Sequence, residues 1–231
     1  MTTATEPIHI VEQGEGWVCV EKPGGMSVHN DPGKDLISVL SGTFGKPGGR
    51  AILQPVHRLD RETAGLLLLA LDRQTLARLS NVFATGKIKK TYKALVHGNV
   101  DLSSQNPGTW DTPLSKQAGG RTDPRGKGKR QTAVTRYRVI EQSPHYTLLK
   151  IELRTGRKHQ IRRHAKLAGH PVVGDKRYGS PRSIAFLKEH RNFTGMGLQA
   201  YRLEFQDQGK TVALKLPDLP PDTARLLRED A

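Results

Sequence analysis

Cysteine is nearly absent. Cys19 is the one thiol in 231 residues, which excludes an internal disulfide and a cysteine-based metal cluster. It stands in the alternating segment WVCVEK, where a lone cysteine reads as a small core residue. Carboxylates are scarce beside cations: 22 Asp and Glu face 37 Lys and Arg, a formal net charge of +15. Such a surplus draws a protein to polyanions and releases counterions on a phosphate backbone, without separating RNA from DNA or anionic lipid. Long apolar runs are missing, so no segment is expected to cross a bilayer. The opening MTTATEPIHIVEQ lacks the basic and apolar blocks of a signal peptide, and a cytoplasmic location is expected. The glycine-rich SGTFGKPGGR lacks the Gly-Lys-Ser/Thr ending of a phosphate loop. His159 and His164 are five apart, not four as in a zinc-binding helix, and the glutamate of HExxH is missing; no metal site is expected.

What is present centres on HRLDRETAGLLLLA, from His57 to Ala70. The apolar run after Gly65 reads as a buried strand, with a buried helix as the alternative. Asp60, set between Arg58 and Arg61 at the mouth of that core element, is costly unless paired, hydrogen-bonded or used. Taken alone, the segment fits a structural ion pair with a neighbouring arginine. Upstream, Ile8 to Val11 and Trp17 to Val20 form a hairpin-like start, followed by the tight lysine-bearing loop EKPGGMSVHND and a short helix from Leu36.

Downstream, Asp72 is a good N-cap for a helix carrying Leu76, Leu79 and Phe83, which Gly86 ends. TYKALVHGNV alternates as a strand with one buried face, making Tyr92 either an ordinary strand aromatic or a residue aimed into a pocket. Residues 116–130, KQAGGRTDPRGKGKR, have almost nothing to bury and read as a flexible basic loop suited to a nucleic-acid backbone. Strands are expected at Thr132 to Ile140 and Tyr146 to Leu153, with Ser143-Pro144 turning between them. A helix from about Arg157 to Ala168 puts Ile161, Ala165 and Ala168 on its apolar stripe, with Arg162 on its shoulder. Arg157, Arg163 and Lys166 turn towards solvent, and Gly169 and Pro171 stop the helix. Strands at Leu198 to Phe205 and Thr211 to Leu216 and a helix from Thr223 to Arg228 close the chain. The residues alone support strands interleaved with a few helices, with no internal repeat or convincing linker.

Four stretches in this order, EKPGGMSVH, HRLDRETAGLLLLA, KKTYKALVHG and RTGRKHQIRRHAKLAGHPVVGDKRYG, resemble the RluA-like family of RNA pseudouridine synthases. The resemblance spans roughly Val18 to Leu216, and the second and fourth stretches are long and specific. One departure is Ala64, where the family more often has serine. The resemblance implies one α+β catalytic domain over 1–231, core about 8–217, with a curved, mostly antiparallel mixed sheet in two halves flanked by helices and loops. It leaves no room for the separate N-terminal RNA-binding module of some relatives. It implies Asp60 as the catalytic carboxylate, acting as nucleophile or as base and electrostatic stabiliser. It also implies that Arg162 pairs with Asp60 and keeps it charged, that Tyr92 packs on the uracil and serves in proton transfer, and that Ile161 walls the pocket. By the same resemblance Arg58 takes the space of the flipped nucleotide or contacts the displaced nucleotides, and His57 and Arg157 join Arg58 and Ile161 in binding substrate.

The implied reaction imports no group, so no cofactor is expected. The implied partner is structured RNA, ribosomal or transfer, met by a monomer away from membranes. Two other readings compete: a non-catalytic RNA-binding or assembly factor, and a hydrolase or glycosylase that uses Asp60 with water.

Overall fold

A computed structural model describes residues 7–44, 52–101, 107–217 and 219–230. The expected loose start at residues 1–6 and most of the glycine-rich stretch after Ser41 lie outside the described residues. The first elements are β1 (Ile10–Gly14), β2 (Trp17–Lys22), α1 (Leu36–Phe44), β3 (Gln54–Pro55), β4 (Ala64–Ala70), α2 (Arg73–Ala84) and β5 (Ile88–His97). Next come β6 (Gly108–Trp110), β7 (Leu114–Ser115), β8 (Arg130–Gln131), β9 (Thr135–Gln142) and β10 (Tyr146–Leu153). The chain ends through α3 (Gln160–Leu167), α4 (Pro181–Arg191), β11 (Leu198–Asp207), β12 (Lys210–Lys215) and α5 (Pro221–Arg228). They gather into two compact units, Met1–Lys89 with Ala200–Leu216, and Lys90–Gln199 with Pro217–Ala231.

In the first unit the apolar run becomes β4, and Leu66 to Leu69 are all fully buried. Burial on both faces is why the run is continuous rather than alternating, and each leucine contributes roughly 1.5–3 kcal/mol of apolar transfer. The sheet order is β1-β2-β4-β11, with β12 beside β11 and β3 paired to β4. Leu66 and Leu68 share a core with Trp17, Cys19, Leu79, Phe205 and Leu214. The Asp72 carboxylate caps α2 by accepting from Thr75 N–H at 2.8 Å.

Two details of register fix the loops. Lys22 lies directly opposite Gly65 in the antiparallel β2–β4 pair, so the loop after one strand adjoins the loop before the other. Gly65 has φ +109°, and a Cβ there would lie 2.3 Å from the Ala200 carbonyl oxygen. Only glycine lets β11 come that close.

The second unit pairs β5-β10-β9-β6, antiparallel throughout. Ala94, Leu95 and Val96 of β5 are all buried, so this strand is covered on both faces where the alternation suggested one. Leu95, Tyr146, Leu148, Val173, Leu187, Phe193, Leu226 and Leu227 form the core on one side. The α3 helix packs against β9. Past the end of α5, Asp230 accepts from Ser143 Oγ at 2.6 Å and His145 N–H at 2.8 Å, and its carboxylate lies 2.8 Å from His145 Nδ1. That cluster fastens the chain end to the β9–β10 turn.

Several expectations change. The α3 helix begins at Gln160 rather than near Arg157, because His159 is left-handed at φ 54°. A left-handed residue cannot continue a right-handed helix. Arg163, expected in solvent, is fully buried. The α4 helix, preceded by Ser180 and opened by Pro181, was not anticipated although that pair is a usable start signal. No described helix is long and apolar enough to cross a membrane.

Candidate active site

The residues expected to act together come from both units, and each group is built by its own surroundings. On the first unit, Asp60 opens a turn closed by Thr63 N–H donating to Asp60 O at 3.1 Å. Beneath this turn lies the Lys22 ammonium, fully buried. It donates to Pro23 O at 2.8 Å, Met26 O at 2.8 Å and Arg61 O at 2.9 Å. Three N–H donors meet three carbonyls, which uses the ammonium completely. Gly25 N–H also donates to Arg61 O, and Arg61 Nε returns a bond to Gly25 O, both at 2.9 Å. The glycine loop and the Asp60 turn are therefore laced into one piece.

Burial pushes the Lys22 pKa down to about 8, while the carboxylates of Glu62 and Asp60 pull it up. At neutral pH it remains mostly charged. Asp60, only partly buried, thus sits in the field of a fixed cation while its own backbone is held from below. Arg58 is exposed and Leu59 buried, so the two side chains that lead into Asp60 diverge.

His57 was expected at the substrate, and the structure places it in the core of its unit. Its Nε2 accepts from Leu68 N–H at 3.2 Å, and its ring stacks on Phe83 at 4.9 Å between centroids. Accepting at Nε2 puts the neutral ring's proton on Nδ1. The ring so placed ties the start of the Asp60 loop to β4.

On the second unit, Tyr92 of β5 is 8% exposed and stands opposite Ile151 of β10. Ile161 is also buried. Arg162, the next residue on α3, is gripped by a carboxylate the sequence reading did not include. Its Nε donates to Asp175 Oδ2 at 2.7 Å and its Nη2 to Asp175 Oδ1 at 2.9 Å. The two side chains are 3% and 0% exposed. Burial pushes the Asp175 carboxyl up, but Arg162 and the N–H groups of Tyr178 and Arg177 outweigh it and hold the carboxyl below its usual range. The Arg162 guanidinium also lies 5.4 Å over the Tyr178 ring, whose hydroxyl is 2.9 Å from His159 Nδ1. Arg157, half-buried, donates from Nε to Thr132 O at 3.0 Å.

Arg163 faces the other way, into the basic segment. It donates from Nε to Pro124 O at 2.5 Å, from Nη1 to Ser115 O at 3.0 Å and Lys158 O at 3.2 Å, and from Nη2 to Arg125 O. Arg177 adds bonds to Ala118 O and Gly119 O, both at 2.9 Å, and Arg121 reaches Gly179 O. The stretch expected as a bare flexible loop is instead tied at its first half by arginines. Lys116, Arg125, Lys127, Lys129 and Arg130 remain exposed on it. The histidines of this region are structural: His164 lies 2.9 Å from both Thr135 Oγ1 and the Thr112 carbonyl oxygen.

The missed residues, Lys22 and Asp175, left weak traces. Lys22 ends an apolar strand just before Pro-Gly-Gly, an unusual place for an exposed lysine, and Asp175 follows a glycine with positive φ.

The family described as RNA pseudouridylate synthase matches residues 16–167 of this chain. A protein of Bacillus subtilis described as the uncharacterized RNA pseudouridine synthase YlyB is 32% identical over 228 residues, covering 95% of this chain and 72% of its own length. The tRNA pseudouridine synthase C of Vibrio cholerae is 32% identical over 212 residues, covering 86% of this chain and 85% of that protein. Among solved structures, human RNA pseudouridylate synthase domain containing 1 is similar in fold with TM-score 0.77, at 23% identity, over 97% of this chain and 90% of that one. The α+β architecture is the pseudouridine synthase fold, and the chain is an isomerase belonging to the RluA-like family of RNA pseudouridine synthases.

Proposed function

We propose that the chain isomerises uridines of structured ribosomal or transfer RNA, with Asp60 as the catalytic carboxylate. The observation that carries this reading is the Asp60 turn. A partly exposed carboxylate stands on a loop whose backbone is locked by the buried Lys22, on a protein of net charge +15. A loop locked through its backbone sets where that carboxylate stands before substrate arrives.

In the reaction the bond from ribose C1′ to uracil N1 breaks, the base turns, and C5 bonds to C1′. N1 gains a proton and the C5 proton leaves to water, so the product is an isomer. An ionised carboxylate beside the sugar serves either as nucleophile or as base and stabiliser of the electron-poor C1′. Arg162 acts as its basic partner, favouring the charged form of Asp60 and fixing its orientation. Tyr92 packs on the uracil and Ile161 walls the pocket. The target must leave its stack, and Arg58, exposed and planar, takes the vacated space. Arg157 and the loop anchored by His57 complete the substrate contact. The cations of residues 116–130 meet phosphates on a segment held in shape before RNA arrives.

The test is tritium release from RNA labelled at uracil C5. A synthase releases the label and leaves pseudouridine. A binding factor does neither, and a glycosylase yields free uracil; either of those results overturns the proposal.

A further inference from the structure

The Asp175 carboxylate is held by four donors. Two come from Arg162, and two are the backbone N–H groups of Arg177 at 2.9 Å and Tyr178 at 3.0 Å, both on Oδ1. Its own backbone is fixed as well, with Asp175 N–H donating to Val172 O at 3.2 Å and Gly179 N–H to Asp175 O at 2.8 Å. The carboxylate is therefore part of a rigid turn. Against it lies a side chain with four rotatable bonds, and a bidentate contact fixes the plane of a guanidinium as well as its position. The Tyr178 ring on one side restricts the same plane.

We propose that Asp175 is a positioning residue for the isomerisation: by taking the Nε–Nη2 edge of Arg162, it fixes the position and plane from which that guanidinium acts. The inference rests on the role proposed above for Arg162. A structural pair alone would be satisfied by any geometry that neutralises both charges. This one is built from a turn that also fixes the carboxylate's second set of lone pairs, so the arginine has a single place to be. Asp175 never meets the substrate; it acts through Arg162, and displacing a reacting group by about 1 Å lowers a rate on the order of 100-fold.

The experiment uses the full chain and a pseudouridine-forming RNA. Asp175→Asn keeps the shape and removes the charge, while Asp175→Glu keeps the charge and moves it by one methylene. Both are expected to lower kcat about 100-fold while RNA Kd stays within about twofold. Single-turnover rates with enzyme in excess are then compared for Arg162→Met and for Arg162→Met with Asp175→Asn. If Asp175 works through Arg162, the double variant is no slower than Arg162→Met. A further loss in the double variant, or a wild-type kcat in folded Asp175→Asn, overturns the inference. Should Asp175→Asn fail to fold, Asp175→Glu decides, and a wild-type kcat there overturns it too. Wild-type protein that forms no pseudouridine sinks the functional proposal and this inference with it, whereas an active wild type with unaffected Asp175 variants sinks this inference alone.

Discussion

Replacing Asp60 by asparagine is expected to abolish tritium release while RNA affinity stays within about twofold. Asparagine has the same shape, and the turn depends on backbone groups: Thr63 N–H on Asp60 O, and Lys22 and Gly25 on Arg61 O. The fold has no reason to change. What disappears is the negative charge and the nucleophilic oxygen. Removing such a group from the centre of a reaction costs roughly 10⁴- to 10⁶-fold in rate. Arg58, Lys22 and the exposed cations of residues 116–130 are untouched, so the electrostatic part of binding persists. Rates from C5-labelled RNA and affinities from filter binding check both halves. Turnover retained within tenfold would remove Asp60 from the mechanism, and a matching loss of affinity would make it a binding residue.

The second large effect is on stability. Arg163→Met is expected to lower the unfolding free energy by about 2–5 kcal/mol, read from urea midpoints. Methionine fills similar volume but donates nothing, leaving four carbonyls without the guanidinium. Ser115 and Pro124 are buried, so their carbonyls have little access to replacement water, and each unmet acceptor costs about 1–3 kcal/mol. Arg125 and Lys158 are exposed residues, and their carbonyls recover part of the loss from solvent. Lysine in place of Arg163 should recover little, since a point-like ammonium does not reach a fork of acceptors. A change below about 1 kcal/mol in Arg163→Met would mean that the basic segment holds its shape without this arginine.

The contrast between Arg163 and β4 shows what a sequence can disclose about this fold. A continuous apolar run has one favourable destination, so the strand was legible from Leu66 to Leu69. Asp72 was equally plain, because an N-cap is a local device. Arg163 was placed in solvent because helix periodicity treats a guanidinium as a surface group. Its acceptors are carbonyls 38 to 48 residues away, apart from that of Lys158. No residue-type pattern marks a backbone carbonyl as an acceptor. The start of α3 failed for a related reason: Gln160 Oε1 accepts from Arg157 N–H at 3.0 Å and Thr155 Oγ1 at 2.7 Å, holding residues 155–159 in a turn that ends at left-handed His159. Asp60 and Arg162 could be named by resemblance, whereas the Asp175 pair needed coordinates, since a separation of thirteen positions gives no periodic link between them.

The burial of Cys19 has a practical consequence. Packed opposite Leu68 inside the first unit, the thiol is pushed up to about 12 by burial, with Glu12 adding to the effect and a Leu67 backbone hydrogen bond opposing it. It is neither accessible nor ionised at neutral pH, and thiolate is the reactive form. A thiol reagent should therefore titrate no group in native protein and one in guanidinium; a reactive native thiol would refute this. Probes can then be attached through a cysteine introduced at an exposed position such as Lys129, with the natural thiol left in place as a silent reporter of unfolding.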